Sequence, residues 1–262
     1  MLKNRLIPCL LLKNGLLVRS ELFKVHQIIG NPIHEVERFS QWSVDELIYL
    51  DISESESYDL RRDDTKVKRA DNQLQILEDI SRSCFMPLTF GGRIRNLNDI
   101  RERIQRGADK VAINTAAVEC PTLITEGAKG FGSQCIVVSI DVLHHPDGRY
   151  EVFTRGGKKA TGLEPMEWAR RVEGLGAGEI FLNSIDRDGS GQGYDLNLIR
   201  RVASATRIPV IACGGVGQYQ DFAKGIQAGA SAVSAANIFH FKELSDRNAK
   251  RAMQRAGVAV RV

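Results

Sequence analysis

Short, almost wholly apolar runs alternate with amphipathic segments from one end of this chain to the other. The apolar runs cover residues 5–12, 46–51, 87–90, 110–113, 135–141, 179–184, 209–212 and 232–236. Most are too uniformly apolar to alternate between a wet and a dry face, which is the pattern of strands covered on both sides of a parallel sheet. Between them, apolar residues recur at helical spacing. Residues 96–106 put Leu97, Ile100 and Ile104 on one stripe. Residues 32–42 open with Asn31 as a cap and Pro32 at the first helical position. Further helices are predicted at 74–83, 122–130, 165–175, 196–205, 219–227 and 241–256. Strand and helix in eightfold alternation predict an α/β protein, a single (β/α)8 TIM barrel over residues 1–262, with an open doubly wound sheet as the runner-up.

An internal repeat sharpens the picture. Gly91-Gly92 reappears as Gly214-Gly215, and Gly107-Ala108 with Asn114-Thr115 reappears as Gly229-Ala230 with Ala236-Asn237, at offsets of 123 and 122 residues. The second half thus resembles a diverged copy of the first, with half barrels of about 1–130 and 131–262. Two stretches break the rhythm. Residues 15–30 and the polar, mixed-charge 54–70 are long for connections after a barrel strand, and such loops gather at the face where ligands bind. A merely solvated insertion explains 54–70 equally well.

Composition adds exclusions. With 262 residues, 43% of them hydrophobic, the chain has ample material for one core. No apolar run approaches the roughly 18 residues of a membrane span, and the first five residues do not open a signal peptide. The balance of 36 Lys+Arg against 32 Asp+Glu is too mild to indicate nucleic acid, and the basic run 66–69 interleaves no aromatics. Cys9, Cys84, Cys120, Cys135 and Cys213 form no CxxC pair and no metal spacing, so they are expected to be buried and reduced, in a cytoplasmic protein. His144-His145 precedes a Pro146-Asp147-Gly148 turn and is expected to be solvated. Trp42 and Trp168 lie on helical stripes and are expected to pack.

Chemistry is expected at strand ends. The duplicated glycine pairs, each followed one strand later by Asn114-Thr115 or Ala236-Asn237, suit two phosphate sites on opposite sides of one mouth; tight turns are the bland alternative. Asp51, Asp141, Asp186 and Asp188 cluster at strand ends, where a buried carboxylate is costly unless paired or used as an acid or base. Arg187 is a candidate partner within the Ser184–Gly189 loop. Aligning the halves sets Cys9-Leu10-Leu11 beside Ser139-Ile140-Asp141, so one half carries an acid where the other carries Leu11.

Several motifs resemble one family along nearly the whole chain. Residues 5–9 (RLIPC), Asp45-Glu46-Leu47 with Leu50-Asp51-Ile52, 107–119 (GADKVAINTAAVE), 184–189 (SIDRDG) and 238–241 (IFHF) are similar to the cyclase subunit of imidazole glycerol phosphate synthase. The resemblance implies a lyase-type barrel of two halves in a heterodimer with a glutaminase, whose ammonia crosses the barrel to a substrate carrying two phosphates, in histidine biosynthesis. No cofactor or metal is implied, and neither nucleic acid nor membrane is an expected partner. It also implies roles. Arg5, Glu46, Lys110 and Glu179 correspond to the family's ammonia gate, and Asp109 to the glutaminase-facing side. Gly92, Asn114, Thr115, Asp188, Gly189, Gly214, Gly215 and Ala236 correspond to phosphate-binding positions. Arg93 stands for a third glycine, either clamping an anion or pairing with an acid of the mouth, and Asn237 stands for a serine. Asp141 matches one catalytic aspartate, and Leu11 replaces the other.

Leucine transfers no proton, and loss of an acid or base costs about 10²–10⁴-fold. The resemblance therefore points to the family's branch in bacterial surface-polysaccharide clusters, expected to deliver ammonia for acetamidino sugars beside a sugar amidotransferase. A true cyclase subunit and a non-catalytic ammonia channel or scaffold are the alternatives.

Overall fold

The computed structural model describes residues 3–42, 44–55, 57–58, 70–241 and 245–261. Its first half runs β1 (Arg5–Lys13), β2 (Leu16–Glu21), β3 (Val25–Gly30), α1 (Pro32–Gln41), β4 (Leu47–Asp51), α2 (Gln73–Ser81), β5 (Leu88–Gly91), α3 (Leu97–Gln105), β6 (Lys110–Ile113), α4 (Thr115–Glu119) and α5 (Thr122–Phe131). The second runs β7 (Ile136–His144), β8 (Tyr150–Thr154), β9 (Lys159–Ala160), α6 (Pro165–Gly174), β10 (Glu179–Ser184), α7 (Leu196–Ala205), β11 (Val210–Cys213), α8 (Tyr219–Gln227), β12 (Ala232–Ala235), α9 (Ile238–Phe241) and α10 (Ser245–Arg255).

Eight strands pair in parallel in the order β1-β4-β5-β6-β7-β10-β11-β12, and β12 returns to β1 with Arg5 opposite Ala232. The sheet closes on itself, so it is a (β/α)8 barrel rather than an open sheet. The near-continuous apolar runs are explained by the two cores that each strand serves. Ile7, Ile48, Val137, Phe181 and Ile211 fill the barrel interior, with Leu11 and Leu50 at its upper edge. The alternate residues, among them Leu6, Leu10, Val111, Val138 and Ile180, face outward onto Val36, Phe39, Ile100, Ile124, Trp168 and Phe222 of the helical layer.

Local chemistry starts the helices as expected. Asn31 Oδ1 accepts from Ile33 N at 2.9 Å and Pro32 is the first helical residue of α1. Asn72, Asn96 and Asp195 cap α2, α3 and α7 in the same way.

Three features differ from the sequence expectation. Residues 15–30 are not an open loop: β2 and β3 form an antiparallel hairpin that continues from β1. A matching hairpin, β8 and β9, continues from β7. Both follow the first strand of a half. The helix expected over 241–256 is α9 and α10, with 242–244 outside the described residues. Most of 54–70, including the basic run 66–69, also lies outside them. Of the cysteines, Cys9 and Cys213 are buried as expected, but Cys120 is exposed, and all five are free thiols. Among the described residues no helix is long and apolar enough to cross a membrane.

Candidate active site

The floor of the barrel carries four charges where strands begin. Arg5 opens β1, Glu46 precedes β4, Lys110 opens β6 and Glu179 opens β10. Arg5 Nη1 donates to Glu46 Oε1 at 2.6 Å and to Glu179 Oε1 at 2.9 Å. Lys110 Nζ donates to Glu46 Oε2 at 3.0 Å and to Glu179 Oε2 at 3.1 Å. The two cations and two carboxylates therefore alternate in a closed ring, and every carboxylate oxygen has its own cation. That geometry is what makes burying four charges tolerable. Burial works against the Arg5 charge, but Glu179 and Glu46 outweigh it and raise its pKa. Asp109, beside Lys110, is exposed on this face and accepts from Leu88 N at 2.8 Å.

Asp141 lies at the other end. It is two residues past Ser139 and four past Val137 on β7, so it faces the interior, 8% exposed. Asn114 Nδ2 donates to Asp141 Oδ2 at 3.2 Å and to Ser139 O at 3.0 Å, and Ser139 Oγ lies 3.4 Å from Asp141 Oδ1. Burial pushes the Asp141 carboxyl up to about 7; Ser139 opposes this and the charge of Asp188 adds to it. A carboxyl poised there can exchange a proton near neutrality. Leu11, on the first strand of the other half, packs with the interior cluster and offers no such group.

Asp188 is raised by burial too, against hydrogen bonds from Ser20 and the backbone of Phe23. Ser20 Oγ donates to Asp188 Oδ2 at 2.6 Å, Phe23 N at 3.4 Å, and Leu22 N donates to Asp188 O at 2.9 Å. Asn237 grips the same strand: its Nδ2 donates to Ser20 O at 2.8 Å, and Ser20 N donates to its Oδ1 at 3.4 Å. The other hairpin does likewise, since Arg155 N donates to Thr115 Oγ1 at 3.1 Å and Arg155 pairs with Glu119 at 2.9 Å. Each hairpin thus leans on the segment that follows the last strand of a half.

The other expected site positions fall on the same rim. Gly92 (φ +110°) lies so close to Asp51 O that a Cβ would collide with it, and Gly215 (φ +103°) stands in the same relation to Gly193 O. Gly189 lies in the turn that holds Asp188, Gly214 directly follows β11, and Ala236 with Asn237 joins β12 to α9. Arg93 adopts a left-handed φ of +53° and gives its guanidinium to Asp51 and to Ser55 O, beneath the ring of Tyr58. The pair with an acid of the mouth is therefore formed. Asp51 also accepts from Ser53 N at 2.9 Å and Tyr58 Oη at 3.1 Å. Arg187 lies 3.9 Å from Asp186. His145 pairs with Glu151 at 2.9 Å, His144 stacks on Tyr150, and the described residues hold no cluster suited to a metal.

Sequence reasoning missed Ser20, Ser139 and Asn183. The last two could have been found by counting alternate residues back from Asp141 and on from Phe181.

A family model described as histidine biosynthesis protein matches residues 5–245, and the chain belongs to that family of proteins. Within it the chain is HisF-like. It is 42% identical over 264 residues to the imidazole glycerol phosphate synthase subunit HisF of Alkaliphilus metalliredigens (strain QYMF), with 100% of both chains covered.

Proposed function

We propose that this HisF-like subunit pairs with a glutaminase, takes ammonia through the ring at the barrel floor, and presents it at the opposite mouth to an acceptor other than the histidine-pathway intermediate. The observation that carries the reading is the contrast between the two ends. The floor keeps a fully paired ring of Arg5, Glu46, Lys110 and Glu179. The mouth has one interior carboxyl, Asp141, and an apolar Leu11 in the matching place. A two-acid cyclisation has lost half its proton-transfer apparatus, while the charged ring that would admit ammonia is complete.

In this reading Asp109 lies on the glutaminase side. Gly92, Asn114 and Thr115 form one anion cradle, and Asp188, Gly189, Gly214, Gly215, Ala236 and Asn237 form the other, for a phosphorylated acceptor. The acetamidino-sugar branch of bacterial surface-polysaccharide synthesis, with its sugar amidotransferase, fits this division of labour. Complementation tests it. The gene should fail to rescue a cyclase-deficient histidine auxotroph, and rescue at the level of a true cyclase subunit would overturn the reading.

A further inference from the structure

Two polar atoms inside the barrel have no partner. Ser234 is 0% exposed, its Oγ bonds to nothing, and it stands two residues past Ala232, an interior residue of β12, and level with interior Ile7 of β1. Asn183 is 8% exposed, its Oδ1 bonds to nothing, and it stands two residues past interior Phe181 on β10. It is level with Asp141 on one side and Cys213 on the other. Their neighbours in the interior are otherwise mostly apolar, so neither atom gains from its position. Leaving a buried polar atom unpaired costs about 1–3 kcal/mol, and an alanine or a leucine would avoid the cost.

We infer that Ser234 and Asn183 are binding stations for ammonia on its way from the floor to Asp141. This rests on the reading that ammonia crosses the barrel. Ammonia is small and neutral, carries three N–H donors and one lone pair, and needs acceptors inside an apolar lumen. Ser234 Oγ supplies a lone pair to its N–H and can turn its own proton onto the nitrogen. Asn183 Oδ1 only accepts, which holds the lone pair of the nitrogen free at the mouth, beside the Asp141 carboxyl. Cys9 and Cys213 belong to the same interior cluster, and the hydrogen bond with Cys213, followed by burial, raises the Cys9 pKa. With its pKa raised, Cys9 keeps its proton and does not convert passing ammonia to ammonium.

The test uses cells producing the chain with its glutaminase and the nitrogen-accepting enzyme, fed amide-labelled [15N]glutamine against unlabelled ammonium chloride. The readout is the share of product nitrogen drawn from glutamine. Ser234→Ala and Asn183→Leu should each lower that share several-fold, while glutamine turnover changes less than about twofold and the purified variants melt no lower than the parent. An unchanged share in both variants would overturn the inference. Lys110→Met separates the two levels: if it too leaves the share unchanged, the passage through the floor fails, whereas a loss confined to Lys110→Met removes only the stations.

Discussion

Ser20 Oγ donates to the buried carboxylate of Asp188 across 2.6 Å, so the hairpin that follows β1 is fastened to the turn that follows β10. Asn237 adds two bonds to the same residue's backbone. A hydrogen bond to a charged group contributes about 1.5–3 kcal/mol. Ser20→Ala should therefore speed amide hydrogen exchange over residues 16–30 by about tenfold or more and leave the barrel strands unchanged. Equal protection of the hairpin in both proteins would show that the fastening lies elsewhere.

The Asp141 carboxyl, raised to about 7 by burial, sets a pH dependence. Its folded pKa exceeds its unfolded one, so the native state binds more protons in the window from about 4 to about 7. Its contribution to stability is present below that window and is lost as pH rises through 7. Asp188 is shifted in the same direction. Asp141→Asn should melt higher relative to the parent at pH 8 than at pH 5, and a pH-independent difference would refute the shift.

The ring at the floor is a unit. Lys110→Met leaves Glu46 and Glu179 sharing one cation, Arg5. Breaking a buried pair costs about 3–5 kcal/mol. These side chains keep some water contact, which places this case at the low end, roughly 2–3 kcal/mol. Urea denaturation of the purified chain measures it. A loss below about 0.5 kcal/mol would mean that the pairs act independently and weakly.

Arg93 combines a strained backbone with an ion pair. A left-handed residue other than glycine costs about 1–2 kcal/mol. Arg93→Met keeps that strain and strips Asp51 of its cation, whereas Arg93→Gly strips the cation but relieves the strain. Both should destabilise, the methionine variant by about 1 kcal/mol more. The reverse order in denaturant titration would show that backbone strain is not the distinguishing term.

The eight barrel strands were legible because each is buried on two faces and therefore reads as an apolar run. The two hairpins were not, because their strands mix polar and apolar residues. Yet the turn chemistry was present: Asn14-Gly15, both at positive φ (52° and 78°), is the pair that a two-residue hairpin favours, and Arg155-Gly156-Gly157 turns in the same region. The charged ring is four residues whose ends lie 174 residues apart in the chain, and family resemblance, not spacing, brought them together before the structure did. Ser20 and Ser234 carry no local signal, and Asn183 carries only its alternation with Phe181. Their places follow from register and closure of the barrel, which only the fold supplies.

If Leu11 ends the usual two-acid chemistry while the supply of ammonia survives, turnover of the histidine-pathway intermediate is what this chain has lost. The most direct measurement is the ammonium-dependent turnover of the histidine-pathway intermediate by the purified chain, beside the HisF subunit of Alkaliphilus metalliredigens. The rate should be lower by about 10²-fold or more and partly restored by Leu11→Asp. A rate within a few-fold of that subunit, unchanged by Leu11→Asp, would contradict it.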